Sequence, residues 1–367
     1  MRNKLISLFF CLVLVAGLAA GLLTPDRYYS ESEKRTLTQL PKLTAAQVLS
    51  GAFGTNIEKY LTDQFPARDW WITVKTLTER LSGKQDINQV FYGRDGYLID
   101  RFDSYSQKQL NANLAALKAL ADRLAAQGIE LRLMPVPTAV DILPDKLPPH
   151  APHAEQSAII ECARQQGLSV VDVRPALLAH SDEYIYYRTD HHFTSLGAYY
   201  CYAAWKAAKG QTADPLSAWT SEALCDNFRG TTYAKVSDPS TACDIITAYY
   251  RTLRHTVSYN RGEYVADSIY ERKYLSGKDQ YAVFLNSNQA TTVVNGAGKG
   301  KLLILKDSYA NCFAQFTVDE YAETHLIDLR FFRGSVSDYA AENGITEVLV
   351  LYEIPNFAGD TYVAAVK

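Results

Sequence analysis

Five short apolar runs, separated by segments with helical periodicity, most constrain the fold of this chain. They are centred near residues 130, 169, 303, 327 and 349, and three of them read "KLLILK", "HLIDL" and "EVLVLY". Continuous runs of Leu, Ile and Val are typical of strands that are buried on both faces. Strands that alternate with helices predict a parallel sheet that is covered by helices.

The segments between these runs support a strand–helix order. Residues 107–127 have the Ala- and Leu-rich periodicity of a long amphipathic helix. Further helices are expected at residues 154–167, 195–209, 309–323 and 336–343. Residues from about 225 to 295 differ, because β-branched and aromatic residues alternate there and predict an antiparallel, β-rich insertion. The expected fold class is therefore α/β.

The amino-terminal region has the composition of a targeting segment. An uncharged, apolar stretch at residues 5–23 follows two basic residues, which predicts a signal peptide or an uncleaved signal anchor. The basic start favours an amino end inside, and we favour the anchor. Both outcomes place the remainder outside the cytoplasmic membrane, either held at its outer face or secreted. The predicted organisation is a membrane segment at 1–23, a lead-in segment packed on the main domain at 24–105, and the α/β domain at 106–367.

Composition narrows the classes of partner. The formal net charge of -3 supplies no basic footprint, so we expect no nucleic-acid partner. The 25 tyrosines outnumber the 14 phenylalanines, and tyrosine suits wet grooves such as sugar-binding surfaces, although most of these residues are expected simply to fill half-buried positions. Five cysteines follow the apolar stretch, an odd number that implies no complete disulfide framework. Cys225 and Cys243 flank a loop-like stretch, and their pairing is left open.

A strand-to-helix turn in "LLILKDSYANCFAQF" offers a nucleophile. The apolar strand ends at Lys306, and Asp307 and Ser308 follow on the turn. Ligands bind at this carboxyl edge in open α/β folds. The backbone N–H of Ser308 begins a helix and is suited to stabilise a tetrahedral oxyanion. The alternative is that Asp307 or Ser308 only caps the helix.

The segment "TDHHF" offers a base for that serine. Asp190 and His192 are two residues apart, and in a turn a carboxylate can accept a hydrogen bond from the imidazole two positions on. The other ring nitrogen then remains free for a serine. Neighbouring side chains point to different sides, so only one histidine is expected to face Ser308, and His191 is assigned packing or a supporting hydrogen bond.

Two alternatives remain for this segment. Asp190 can simply cap the helix that follows, or Asp190, His191, His192 and a distant carboxylate can hold zinc or iron. No helical His-x-x-x-His spacing and no Cys-x-x-Cys pair are present in the sequence. We therefore expect neither a metal nor an organic cofactor.

At these residues the sequence resembles a known family. "YRTDHHFTSLGAYYCY", "KLLILKDSYANCFAQF", "LIDLRFF" and "EVLVLYEIPNF" are similar to the DHHW protein family of Gram-positive bacteria. That family is similar to the alginate acetylation proteins AlgX and AlgJ, whose acetyltransferase domains resemble SGNH hydrolases. The upstream segments "LTDQFPARDWW" and "VFYGRDGYLI" extend the resemblance. It implies an SGNH-hydrolase-like, flavodoxin-like sheet.

The motifs carry over with two departures. The relatives' Asp-x-His-Trp motif falls on residues 190–193, where Phe193 replaces the tryptophan. Their Gly-Asp-Ser-like nucleophile turn falls on residues 306–308, where Lys306 replaces the glycine and its backbone freedom. The glycine and asparagine oxyanion donors of typical SGNH hydrolases have no assigned positions here.

The resemblance implies a serine-dependent O-acetyltransferase or acetylesterase that acts on a cell-surface polysaccharide. Ser308 would carry the acyl group, His192 would be the general base, and Asp190 would orient it. A multi-spanning membrane acyltransferase is the expected acetyl-donating partner. Arg330, in "DLRFF", is a candidate for substrate binding or for a structural salt bridge. The alternative function is a non-catalytic polysaccharide-binding or assembly protein with a degenerate site.

Overall fold

The computed structural model of the chain describes residues 2–30, 33 and 35–367. The parts of the predicted membrane and lead-in segments that fall on residues 1, 31, 32 and 34 lie outside the described residues. The chain forms two compact units. One contains the residues up to Asn88 together with Tyr233–Ser240, and the other contains Gln89–Thr232 and Thr241–Lys367. The domain boundaries expected from the sequence stay predictions.

The first unit begins with an apolar helix. Its residues Lys4–Leu23 are long and apolar enough to cross a membrane, and their large apolar side chains are exposed. The side chain of Asp63 is buried and accepts the backbone N–H of Thr38 at 2.8 Å while it pairs with Arg35 at 2.6 Å. The elements of this unit are α1 (Arg2–Leu23), β1 (Tyr29–Ser30), β2 (Arg35–Thr36), α2 (Ala45–Leu49), α3 (Ala52–Asp63), α4 (Arg68–Leu81) and β3 (Asp86–Ile87).

The second unit contains the alternating strands and helices that the sequence predicts. Its elements, including a helix α10 whose last residues belong to the first unit, are β4 (Val90–Tyr92), β5 (Leu98–Asp100), α5 (Gln107–Ala125), β6 (Glu130–Val136), α6 (Ala139–Ile142), α7 (Gln156–Gln165), β7 (Ser169–Val170), α8 (Arg174–Ala179), α9 (Ser195–Ala208), β8 (Thr220–Phe228), α10 (Thr231–Val236), β9 (Asp244–Tyr250), β10 (Val257–Tyr259), β11 (Tyr264–Ala266), β12 (Thr291–Asn295), β13 (Lys301–Lys306), α11 (Tyr309–Phe313), β14 (Glu323–Asp328), α12 (Val336–Asn343), β15 (Glu347–Glu353) and α13 (Ile354–Gly359).

The main sheet is mixed. Five parallel strands lie in the order β14-β13-β15-β6-β7, and β12, β10 and β11 continue the sheet antiparallel beyond β14. The predicted α/β class and parallel core are confirmed. The antiparallel strands of the predicted insertion do not form one sheet. Strands β10–β12 extend the main sheet, whereas β8 and β9 form a separate two-stranded sheet.

Both faces of the parallel strands are buried, which explains their continuous apolar runs. Along β13, Leu302 and Ile304 belong to one apolar core, and Leu303 and Leu305 belong to a second core on the opposite face. These four side chains are inaccessible to solvent. Full burial of such a side chain contributes about 2 kcal/mol to stability.

One expectation is corrected, and one question that the sequence left open is answered. The helix expected at residues 309–323 ends at Phe313 and is followed by a single 3₁₀ turn. The buried amide of Gln315 donates at 2.6 Å to the carbonyl of Cys312, which a continuing helix would use for the N–H of Phe316. The cysteines considered for a disulfide, Cys225 and Cys243, are both free.

Candidate active site

Ser308 lies at the carboxyl edge of the parallel sheet. Lys306, the last residue of β13, pairs in register with Asp328 of β14 and with Leu351 of β15. Two residues later, Ser308 stands at the start of α11, and its side chain makes no capping hydrogen bond to the helix. The hydroxyl is therefore free to face a partner from another part of the chain.

The neighbouring Asp307 holds this turn in place. Its buried carboxylate accepts the backbone N–H groups of Tyr309 at 3.0 Å and of Glu353 at 2.8 Å. The side-chain amide of Asn356 donates to it at 3.0 Å. Burial raises the pKa of Asp307, although these three donors favour the charged form. The carboxylate, for which helix capping was one alternative, thus ties the turn to the end of β15.

His192 faces the serine. Its Nε2 lies 2.7 Å from Ser308 Oγ, and its Nδ1 hydrogen-bonds Asp190 Oδ1, which also accepts the His192 backbone N–H at 3.0 Å. With Nδ1 donating to the carboxylate, Nε2 is left to accept the serine proton. The structure therefore brings together the three residues that were predicted from segments 116 residues apart.

The second oxygen of Asp190 is also engaged. Asp190 Oδ2 accepts the backbone N–H of Thr231 at 2.7 Å and its hydroxyl at 3.0 Å. Burial alone would raise the pKa of Asp190, but the two neighbouring imidazoles and these hydrogen bonds outweigh it and hold the pKa well below its ordinary value. The carboxylate is therefore ionised at neutral pH.

Gly230 allows this close approach. A Cβ atom at Gly230 would lie 2.2 Å from both Cβ and Oδ2 of Asp190. Contacts this short do not occur between real side chains, so the position requires glycine for space. Gly230 and Thr231 form no recognisable motif, so nothing in the sequence indicates their role.

A second buried carboxylate anchors the loop before Asp190. Asp244, at the start of β9, accepts the Thr189 backbone N–H at 2.7 Å, the Thr189 hydroxyl at 2.6 Å and the Arg188 backbone N–H at 3.0 Å. Burial raises the pKa of Asp244 in spite of these hydrogen bonds. The sequence offered no signal for this residue, since a lone aspartate at the start of a strand is common.

Two tyrosines enclose the histidine pair. The ring of Tyr281 stacks on His192 with centroids 3.8 Å apart and planes at 13°, and its hydroxyl donates to the Ser308 carbonyl at 3.2 Å. The hydroxyl of Tyr309 donates to the His191 carbonyl. Both rings are buried, so they exclude water from one side of the imidazole. The tyrosine excess was the one signal that could have indicated them.

His191 lies beside this arrangement. Its ring centroid is 3.8 Å from that of His192, and its Nδ1 hydrogen-bonds the Thr231 hydroxyl at 2.6 Å. Asp190, His191 and His192 present possible metal-ligand atoms within 4.8 Å of one another. Both ring nitrogens of His192 are engaged by Asp190 and Ser308, so a metal would have to displace these hydrogen bonds.

The backbone at residue 306 accommodates a lysine, although the family that the sequence resembles has glycine at this position. Its backbone has no positive φ, so the strand end does not need glycine there. The side chain is buried, with Nζ 2.8 Å from Asn288 Oδ1 and 3.9 Å from Asp328 Oδ2. Burial lowers the pKa of Lys306 to about 8.

Arg330 makes the structural salt bridge that was one of its two predicted roles. Its Nε and Nη2 lie 2.9 Å and 2.6 Å from the two carboxylate oxygens of Asp328. The hydrogen bonds with Asp328 raise the pKa of Arg330 above its ordinary value. A two-point pair of this kind fixes the guanidinium in one orientation.

Comparisons with known proteins agree with this fold. Residues 90–225, which include Asp190 and His192, match the family described as "ALGX: SGNH hydrolase-like domain, acetyltransferase AlgX". No protein among the curated sequences matches the chain.

Solved structures are similar to this chain over a larger part of its length than residues 90–225. A DHHW family protein from Eubacterium siraeum DSM 15702 superposes with a TM-score of 0.67 and 26% identity, over 76% of this chain and 95% of that chain. Bacillus cereus PatB1 with a sulfonyl adduct gives a TM-score of 0.62 at 18% identity, over 76% of this chain and 98% of that chain. A second structure of Bacillus cereus PatB1 superposes with a TM-score of 0.61 and 18% identity, over 73% of this chain and 97% of that chain. Residues 90–225 are therefore similar to the SGNH hydrolase-like domain of AlgX, and the chain resembles the DHHW family protein in structure.

Proposed function

We propose that this protein is an extracytoplasmic, serine-dependent O-acetyltransferase or acetylesterase that acts on a cell-surface polysaccharide. One observation carries the proposal: Ser308 Oγ lies 2.7 Å from His192 Nε2, and His192 Nδ1 is hydrogen-bonded to the buried carboxylate of Asp190. This arrangement has the connectivity of a nucleophile, a general base and the group that orients the base.

In the first half-reaction, Ser308 Oγ attacks the carbonyl carbon of an acetyl donor while His192 Nε2 accepts the serine proton. The tetrahedral adduct collapses, the donor's leaving oxygen takes that proton from His192, and the acetyl group remains as an ester on Ser308. Asp190 stabilises the imidazolium and keeps Nε2 directed at the hydroxyl. The backbone N–H of Ser308, which donates to no described residue, is a candidate donor to the oxyanion.

In the second half-reaction, His192 accepts the proton of an incoming hydroxyl. That oxygen attacks the acetyl carbon, and Ser308 Oγ leaves and regains its proton from His192. A sugar hydroxyl yields an acetylated polysaccharide, whereas water yields acetate. Both outcomes use the same acyl-enzyme, so the choice depends on which hydroxyl reaches it.

The proposed setting of the reaction is supported by α1. A helix of this length and composition is typical of a membrane anchor or of a signal peptide, and in either case we propose that the remainder lies outside the cytoplasmic membrane. The acetyl donor is proposed to be supplied by a multi-spanning membrane acyltransferase, as the resemblance implies.

A serine-directed reagent and a simple ester test the proposal. The full chain should hydrolyse para-nitrophenyl acetate and should be labelled by a sulfonyl fluoride. Ser308→Ala should abolish both, while the exposed Ser221→Ala should change neither. Addition of oligosaccharides should divert acetyl groups from water to sugar if the protein is a transferase.

Ester hydrolysis that persists at the full rate in Ser308→Ala would remove the nucleophile assignment. Binding of a glycan without any turnover would instead favour the alternative, a non-catalytic polysaccharide-binding protein. The hydrogen-bond distance between Ser308 and His192 supports the enzyme over this alternative.

A further inference from the structure

We propose that a groove beside the nucleophile turn, which we call the Phe331 groove, binds a segment of the acceptor glycan and prefers an acidic one. This inference rests on the proposed function and names where its acceptor is held. The groove encloses about 580 Å³, a size typical of sites for small ligands. The residues that carry the argument are Asn260, Arg261, Glu263, Asn288, Phe331 and Arg333.

Strand register places the groove at the same edge of the sheet as the nucleophile. Thr291, the first residue of β12, pairs antiparallel with Ile327 near the end of β14. The end of β14 pairs in turn with Lys306, two residues before Ser308. The segment before β12 and the segment after β14, which supply most of the lining, therefore both lie at the edge that carries Ser308.

One wall of the groove is an exposed aromatic ring. The side chain of Phe331 is 52% exposed, directly after the β14 edge of the sheet. The guanidinium of Arg330 lies 5.6 Å from the centre of this ring, and Asp328 fixes that guanidinium. An aromatic face that is held in water by its neighbours offers a flat apolar surface on which the C–H face of a sugar ring can pack.

The charged groups of the groove favour an acidic ligand. Arg261 and Arg333 are exposed, and neither forms an ion pair with any residue that the structure describes. Glu263 is the single carboxylate in the lining, against these two guanidinium groups. Guanidinium groups bind carboxylate and phosphate groups through paired N–H donors, so the excess positive charge selects a sugar that carries such a group.

A partly buried hydrogen-bond chain connects the groove to the nucleophile turn. Asn288 Oδ1 accepts Lys306 Nζ at 2.8 Å and Asn311 Nδ2 at 3.3 Å, so both acceptor positions of this oxygen are used. Asn288 Nδ2 donates to no group within the described chain. Its two N–H donors are therefore available for a glycan hydroxyl, and the amide that offers them is oriented by Lys306.

Binding is measured on the Ser308→Ala chain in detergent, so that no acetyl transfer occurs during titration. The probes are an oligogalacturonate and an uncharged maltooligosaccharide of the same length, titrated by calorimetry. Phe331→Ala and Arg333→Gln are introduced separately into this background. The matched controls are Phe65→Ala and Arg254→Gln, whose side chains have similar or greater exposure and lie outside the groove.

We expect the oligogalacturonate to bind more tightly than the maltooligosaccharide, and its affinity to fall by about tenfold with either groove variant. The two controls should leave the affinity unchanged. Equal binding of the two probes, no binding of either at millimolar concentration, or equal affinity in the groove variants and the controls would each overturn the inference. Ser308-dependent hydrolysis of para-nitrophenyl acetate by the wild-type chain, measured in parallel, reports on the proposed function alone.

Discussion

The carboxylate of Asp307 accepts the backbone N–H of Glu353 at 2.8 Å, from the turn after β13 to the end of the neighbouring β15. The turn that carries Ser308 is therefore fixed by a strand that lies 46 residues further along the chain. The same carboxylate accepts two more N–H donors and is almost inaccessible to solvent.

Asp307→Asn should lower both stability and turnover. The new amide directs an NH₂ group at positions that now receive donors, which leaves buried N–H groups unpaired at a cost of about 1–3 kcal/mol. Urea denaturation and ester hydrolysis measure the two effects, and KM should change less than kcat. The exposed Asp267→Asn is the control, and equal effects of the two variants would contradict a positioning role for Asp307.

Asp190→Asn should leave the fold largely intact and slow the reaction. The amide no longer fixes the His192 tautomer that directs Nε2 at the serine, and in serine hydrolases the matching change costs on the order of ten-thousandfold in kcat. Circular dichroism checks the fold, and the initial rate of ester hydrolysis measures the loss. The exposed Asp182→Asn should retain the wild-type rate; a comparable rate for Asp190→Asn would exclude an orienting carboxylate at this position.

Gly230→Ala should slow ester hydrolysis solely through a steric clash with Asp190. The added methyl group would lie 2.2 Å from Asp190, so the carboxylate must move, and a misplacement of about 1 Å costs about a hundredfold in rate. Gly54→Ala is the matched control because nothing lies within 4 Å of its added Cβ. The rate of ester hydrolysis by the two variants gives the comparison, and unchanged activity in Gly230→Ala would mean that the close approach is not required.

Lys306 predicts a pH dependence of stability. Its ammonium loses a proton near pH 8 in the folded chain but near 10.5 in the unfolded chain. Between these values the unfolded state binds more protons, so the free energy of unfolding rises with pH. Below pH 8 both states are protonated, and burial of the charge costs on the order of 3 kcal/mol.

Lys306→Met should therefore stabilise the protein at neutral pH, and the gain should shrink as the pH rises toward about 9.5. Urea denaturation at neutral pH and at about pH 9.5 measures the difference in the free energy of unfolding between Lys306→Met and the wild type. Lys108→Met, which changes an exposed lysine, should show no such dependence. A destabilisation of equal size at both pH values would show that the hydrogen bond to Asn288 outweighs the buried charge.

Removal of metal ions should leave ester hydrolysis unchanged. His192 uses both ring nitrogens in hydrogen bonds to Asp190 and Ser308, and Asp190 uses both oxygens. Activity is measured before and after dialysis against a chelator. A loss that zinc restores would instead assign the three possible ligands at residues 190–192 to a metal.

Local sequence patterns predicted the parts of the site that depend on near neighbours. Asp190 and His192 are two residues apart, and Ser308 follows an apolar strand, so both segments carry their geometry within a few residues. The catalytic roles of these residues stay predictions. The α/β class followed from apolar runs that only strands buried on both faces require.

The remaining parts depend on distant segments that have no motif. Asp244, Tyr281 and Gly230 contact the site because the fold brings them there, and each is an ordinary residue in its own segment. The length of α11 was overestimated for a related reason, since the buried Gln315 amide donates to the Cys312 carbonyl at the end of the helix, a contact that local propensity does not reveal.

The order of strands in the main sheet has a consequence for when the sheet can close during folding. β15 lies between β13 and β6, so a central position of the sheet is filled by the last strand of the chain. Until Glu347–Glu353 is available, β6 and β13 have no common neighbour, and the pairing that closes the sheet has to wait. For a chain synthesised amino end first, this order delays both the closing of the sheet and the hydrogen bond from Glu353 to Asp307 that holds the turn carrying Ser308.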